Sequence, residues 1–191
     1  MGKPLRADAQ RNRDALLEAA REIFVAEGTE VPFEDFARRA GVGTGTLYRH
    51  FPNREALATA VFEAEVTALR DRATELAATE PPDQALATFL GEMVDRMYAQ
   101  RGFGGTFHAL AERGSDVVAD GGVAMEDAVA ELLRRGAEAG VLRTDVSAAT
   151  VLLAIHGVSS ASVRSERREE SDGVVRLIVD GLRTSVSSPG R

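Results

Sequence analysis

The chain has three histidines, His50, His108 and His156, as borderline metal ligands and no cysteine. The histidines are scattered, and no two stand three or four residues apart, the spacing that puts a ligand pair on one helix face. No metal site is expected, and a structural or pocket role suits His108 and His156 better. Gly157-Val-Ser159-Ser-Ala161 has the letters of a nucleophile elbow, but that turn needs a strand before it. The surrounding periodicity is helical, so small-residue packing between helices is the plainer reading. Gly41-Val-Gly-Thr-Gly45 superficially matches a dinucleotide loop, yet it follows a helix and its third glycine is misplaced. No nucleophile is set beside a base, so no catalytic residue and no cofactor are expected, and a helical enzyme is the least favoured reading.

The chemistry that remains is recognition of phosphates and base edges. Phe33 to Phe51 reads FEDFARRAGVGTGTLYRHF. Two short helices crossing steeply in a helix-turn-helix need a small residue at their contact, a left-handed backbone at the turn and an apolar plug in the second helix. Ala37, Gly41 and Leu47 stand at those positions. On the second helix, Leu47 and Phe51 face inward. Thr44 with Tyr48, Gly45 with Arg49 and Thr46 with His50 line the other faces as i, i+4 pairs. Short polar side chains and a glycine at a helix N-terminus let that end enter a major groove closely. Tyr48, Arg49 and His50 can reach phosphate or base edges. A core hairpin with no DNA role would not need this exposed polar face.

Around this stretch the spacing is helical throughout, and sustained period-2 alternation is missing. A helix from about Arg11 to Glu27 presents Leu16, Leu17, Ala20, Ile23 and Phe24, with Gly28 as its stop. A second runs from about Pro32 to Ala40, a third from Thr44 to about His50. A long fourth begins at the N-cap Asn53 and continues to about Ala78, roughly 39 Å at 1.5 Å per residue. Pro81 and Pro82 open a fifth, with Leu86, Phe89, Leu90, Met93, Val94 and Met97 on one face. After glycines 102, 104 and 105 comes a short segment, Thr106 to Arg113. Gly121 and Gly122 read as an interruption before a helix from about Val123 to Ala139, stopped by Gly140. Two more helices are expected at about Ser147 to Arg164 and Gly173 to Val186. Ser165 to Asp172 reads as a charged loop between them. The fold class is therefore all-α.

The chain has 191 residues, 44% of them hydrophobic, enough for a core without staples. Its net charge of -7 argues against a nucleic-acid partner until it is divided. Residues 1–60 carry nine basic and nine acidic side chains, so the whole excess lies in 61–191. Basic residues cluster at Lys3, Arg6, Arg11 and Arg13, and again at Arg49 and Arg54, where local field outweighs the sum. The lack of cysteine fits a reducing cytosol. Met1 to Asn12 has no apolar signal-peptide core, and no stretch approaches the roughly 20 apolar residues of a membrane span. The expected location is cytoplasmic, with no membrane partner. One lysine beside 22 arginines, with abundant Ala and Gly, is the habit of a GC-rich bacterial genome.

With an amphipathic helix before it and a long helix after it, GVGTGTLYRHFPNREAL resembles the TetR family of bacterial regulators. The likeness is strong over residues 11 to 62 and weaker beyond. It implies DNA binding by the first three helices, and dimerisation and ligand binding by the rest. It divides the chain into a DNA-binding domain, 1–52, and an effector-binding and dimerisation domain, 53–191, linked by the helix starting at 53. The family's recognition helix matches Thr44 to His50, its phosphate-contacting Tyr and His match Tyr48 and His50, and its basic residue opening helix four matches Arg54. Arg11 and Arg13 are further candidate DNA contacts. One departure stands at the entry to the second helix, where Val31 and Pro32 replace the usual Thr or Ser cap, so a cap bond worth ~1 kcal/mol is missing.

The resemblance also implies a ligand cavity, for which Phe62, Val66, Phe89, Met93, Met97, Phe103, Phe107, His108, Met125 and Val129 are the candidates, although such residues alone read as ordinary core. Apolar stripes on the last two helices carry Leu152, Ile155, Val158 and Ser162, and Val174, Leu177, Ile178 and Leu182. The family pairs these helices across a two-fold axis, and a two-fold dimer implies a palindromic operator. The expected function is a ligand-responsive regulator, a repressor, acting on double-stranded operator DNA as a homodimer with an unidentified small-molecule effector. The alternative is a regulator of the same fold without an effector.

Overall fold

The computed structural model describes residues 3–26, 31–99, 115–161 and 168–184. Among these residues the chain forms eight helices: α1 (Lys3–Ala26), α2 (Phe33–Arg39), α3 (Thr44–His50), α4 (Arg54–Thr79), α5 (Pro82–Ala99), α6 (Asp116–Glu138), α7 (Ala148–Ala161) and α8 (Arg168–Leu182). The only β pairing among them is an isolated bridge between Leu142 and Arg183, so the fold is all-α. The described residues within Met1–Glu65 and Ala99–Gly121 form one compact unit, and those within Val66–Tyr98 and Gly122–Arg191 a second. The expected segment Thr106 to Arg113 lies outside the described residues.

The first unit closes on one apolar cluster. Leu16, Leu17, Ala20, Ile23 and Phe24 of α1, spaced at helical period, meet Phe36 and Ala37 of α2, Leu47 of α3, and Leu57, Ala58 and Val61 of α4. Phe24 and Phe36 tilt together at 5.2 Å between ring centres. Glu65 is buried here and is held by Arg21, which also pairs with Glu18. A buried charge persists only with such a partner. Helix α1 starts two turns before the expected Arg11. Asp8 and Arg11 pair, and Gln10 donates to Asp14 at 2.8 Å, so local i, i+3 and i, i+4 bonds support a stretch in which Ala7 and Ala9 are exposed.

The second unit packs Leu76, Leu86, Phe89, Leu90, Met93, Val129, Leu132, Val151, Ile155, Val179 and Leu182 into its core. Arg72 reaches from α4 to grip Glu92 of α5 with bonds of 2.8 to 3.1 Å. The end of α8 is tied twice. Arg183 holds Asp83 at the start of α5, and the Arg143 and Thr184 amides donate to the carbonyls of Leu182 and Val141 at 2.8 and 3.1 Å.

Two expectations are corrected here. Gly121 and Gly122 do not interrupt a helix; α6 runs through them from Asp116. Each glycine costs about 1 kcal/mol in a helix, but Val118 packs on the first cluster and Met125 in the second, and that burial outweighs propensity. The charged stretch before Gly173 is not loop throughout, because α8 begins at Arg168. A run of carboxylates favours the positive end of a helix as readily as it favours water.

Candidate nucleic-acid interface

Helix α2 opens at Pro32, whose carbonyl accepts the Asp35 amide at 3.0 Å, and no side chain caps it. This is the missing cap foreseen at Val31 and Pro32. Arg54 instead fixes the chain entering the helix, donating to the Val31 carbonyl and stacking its guanidinium 5.5 Å from the Phe36 ring centre.

The turn after α2 is a Schellman closure. The Gly41 amide donates to the Arg38 carbonyl at 3.2 Å and the Val42 amide to the Ala37 carbonyl at 3.0 Å, with Gly41 at φ +68°. Gly41 therefore occupies the left-handed region that an L side chain resists. Ala37 and Leu47 are both buried beneath it, at 1% and 0% exposure. The three structural positions of the motif thus stand where their spacing placed them.

With Leu47 as its anchor, α3 turns Thr44, Gly45, Tyr48 and Arg49 to solvent, while Thr46 and His50 are half-buried. A Cβ added at Gly43 or Gly45 would meet no atom within 4 Å. Folding therefore does not require glycine at either position, and the bare backbone leaves room for something to approach. Arg49 makes no ion pair among the described residues. Asn53 caps α4, its Oδ1 accepting the Ala56 amide at 2.8 Å.

The remaining candidates sit around this helix. The Arg13 guanidinium lies 5.7 Å from the Phe51 ring centre, and exposed Arg11 pairs with Asp8. Tyr48, which is 47% exposed, stands edge-on to Phe33 at 5.4 Å and donates its hydroxyl hydrogen to Oε1 of Glu34 at 2.6 Å. That bond holds the Glu34 carboxyl below the usual range, with the Arg54 charge adding to the effect. The same bond pushes the Tyr48 phenol up. Sequence reasoning missed Glu34, because nothing in a linear pattern links residues fourteen apart on two helices whose crossing angle sets the contact.

The pocket candidates are placed as follows. Phe89, Met93, Met125 and Val129 are buried in the second core, with Val66 and Met97 packed partly against it. Phe62 belongs to the first unit and is half-buried. Phe103, Phe107 and His108 lie outside the described residues. The second unit also carries an open cleft of about 490 Å³ between α4 and α6, floored by Ala73, Ala77, Ala124, Ala128 and Leu132 and rimmed by Arg70, Asp71, Asp127, Glu131 and Arg135.

Of the dimer candidates, Leu152, Ile155 and Leu182 point into the second unit's own core at 8%, 0% and 4% exposure, and Ile178 packs partly against it. Val174 and Leu177 are exposed, as is Leu153, at 75%. The side chain of Val158 and all of Ser162 lie outside the described residues. His156 approaches the Leu152 carbonyl with Nδ1 at 2.7 Å. Among the described residues no helix is long and apolar enough to cross a membrane.

Comparison with known proteins agrees along the chain. A family model described as "Bacterial regulatory proteins, tetR family" matches residues 16–61. One described as "Transcriptional regulator SbtR-like, C-terminal domain" matches residues 81–184. The solved structure of a TetR transcriptional regulator from Streptomyces coelicolor is 35% identical, with a TM-score of 0.80, over 91% of this chain and 99% of that one. Another, from Mycobacterium vanbaalenii, is 41% identical, with a TM-score of 0.75, over 95% and 100%. An HTH-type transcriptional regulator of Staphylococcus aureus is 36% identical over 63 residues, 32% of this chain and 34% of that one. The chain thus spans about a third of the length of the curated relatives it matches.

Proposed function

Because the chain belongs to the TetR family of transcriptional regulators and carries a DNA-binding helix-turn-helix, we propose that it is a homodimeric repressor that binds a palindromic operator and releases it on binding a small molecule. The observation that carries the DNA-binding part is α3 itself. A helix plugged by Leu47 offers a bare glycine at its cap and another in its first turn, short hydroxyls, and an arginine that makes no ion pair among the described residues. In this reading Thr44, Gly45, Thr46 and Arg49 meet base edges, and Tyr48, His50, Arg54, Arg11 and Arg13 meet phosphates. No catalytic role is assigned.

Dimerisation follows from what the second unit leaves uncovered. The proposed face is Leu153 of α7 with Val174 and Leu177 of α8, and Ile178 flanks it. Each of the three is a large apolar side chain exposed to solvent, which supports an interface on these helices. A two-fold dimer carries two copies of α3 related by the same axis, so the proposed operator is palindromic.

Control is assigned to α4, one continuous helix from Arg54 to Thr79. Its first residue is three positions beyond Phe51, so a displacement far along it moves the chain next to α3. Effector and DNA then oppose each other reciprocally, with coupling typically of ~1–3 kcal/mol. A second reading, a regulator with no small-molecule effector, is favoured by one observation: Phe89, Met93 and Val129 are closely buried instead of lining a void. Gel shifts on genomic fragments captured by the protein, with and without candidate effectors, separate the two. Release from DNA by an effector supports the first, and indifference to every compound encoded or made near the captured sites supports the second.

A further inference from the structure

Tyr48 has a single hydroxyl hydrogen, and Glu34 already holds it at 2.6 Å. The ring is fixed from a second side by Phe33, so α2 dictates where the phenol stands. Glu34 is itself exposed, and it places a full negative charge on the face that meets DNA. A phosphate approaching Tyr48 meets repulsion first. It receives a hydrogen bond only after displacing the carboxylate.

Exchanging one short charge-assisted bond for another requires the phosphate to arrive in hydrogen-bonding geometry. A complex registered by base contacts holds a phosphate in one place. Non-specific complexes consist almost wholly of loose phosphate attraction and hold none there for long. On random DNA, then, Tyr48 stays with Glu34 and the carboxylate acts only as a repulsive charge.

We propose that Glu34 is an affinity-setting residue of the DNA interface, withholding Tyr48 from phosphate until α3 is in register, so that its charge weakens binding to all DNA and the bond it must surrender weakens operator binding further. This rests on the reading of α3 as the operator-binding helix. Glu34→Gln keeps the size and the acceptor but removes the charge.

The test measures binding of full-length protein to a random-sequence duplex and to the operator recovered by genomic capture, across a salt series. Glu34→Gln is expected to bind the random duplex roughly three- to tenfold tighter near 0.1 M salt, with a log–log salt slope steeper by about one. Operator affinity should rise at least as much, because the wild-type complex there must both give up the Tyr48–Glu34 bond and tolerate the carboxylate. Tyr48→Phe should weaken operator binding and leave random-duplex binding at the wild-type value. Random-duplex binding that is unchanged or weaker in Glu34→Gln overturns the proposal, as does weaker random-duplex binding in Tyr48→Phe. Arg49→Ala is measured in parallel. If it binds operator as wild type does, the reading of α3 fails; if it weakens while Glu34→Gln stays at wild type, only the role of Glu34 fails.

Discussion

Tyr48 and Glu34 fix each other's protonation. The shared bond lowers the Glu34 carboxyl from its ordinary 4.5 and raises the Tyr48 phenol from its ordinary 10.0. For a depressed carboxylate, the bonded state is fully favoured above the ordinary value and is lost as pH falls through the depressed one. The groups facing Glu34 are Tyr48 from α3 and Arg54 from α4, and the raised Tyr48 phenol keeps its proton near neutrality. The ratio of random-duplex affinity between Glu34→Gln and wild type should therefore be flat between about pH 6 and 9, any group common to both proteins cancelling. Fluorescence anisotropy at several pH values checks this, and a ratio that drifts across that window contradicts it.

Glycines behave oppositely at two positions of one helix. A Cβ at Gly136 would stand 2.2 Å from Cδ1 of the buried Leu142, whereas one at Gly122 would meet nothing within 4 Å. Gly136→Ala should destabilise by about 1–3 kcal/mol through overpacking. Gly122→Ala should stabilise by about 0.5–1 kcal/mol through helix propensity. Urea titration of both variants reads the two signs, and matching signs would show that the close approach of Leu142 does not govern Gly136.

At the scale of elements, α3 offers a sharper contrast between folding and binding. Gly45 is exposed in a seven-residue helix with open space around it. Gly45→Ala should stabilise the protein by up to about 1 kcal/mol while weakening operator binding, because the methyl group occupies room the groove needs. A variant more stable and equally tight in binding would remove α3's N-terminal end from the interface. Gly41→Ala, at φ +68°, should instead cost about 1–2 kcal/mol of stability, seen as an earlier urea midpoint.

The elements also show what was legible beforehand. Ala37, Gly41 and Leu47 could be read from the sequence because local geometry demands those residue types at that spacing. The bounds of α3 and the Asn53 cap followed for the same reason. The start of α6 did not, because helix propensity counts each glycine against a helix while knowing nothing of the cores that receive Val118 and Met125. Arg54 was legible as a basic residue opening α4, but its grip on Val31 and Phe36 depends on the packing of α2 against α4, which no linear spacing contains.

For the whole molecule, the proposed dimer rests on the uncovered apolar residues of α7 and α8. The periodicity of α7 and α8 marks an apolar stripe on each without saying which part the protomer keeps. Leu152, Ile155 and Leu182 go to the second unit's own core, and Leu153, Val174 and Leu177 are left outside. Leu153→Asp with Leu177→Asp should yield a folded monomer at micromolar concentration in sedimentation, with operator affinity reduced by at least tenfold (more than about 1.4 kcal/mol) as the second half-site is lost. Wild-type protein sedimenting as a monomer would contradict the assigned face outright.

The central claim is that α3 reads operator DNA from the face opposite Leu47. Its most direct measurement is footprinting of the best genomic fragment selected by wild-type protein, repeated with Arg49→Ala. The account predicts protection of an inverted repeat whose half-sites lie about one helical turn apart or a multiple of it. It further predicts that Arg49→Ala, with unchanged helicity and melting temperature, weakens that protection by about 1–3 kcal/mol. Protection without symmetry, or an Arg49→Ala footprint matching wild type at equal concentration, would contradict it.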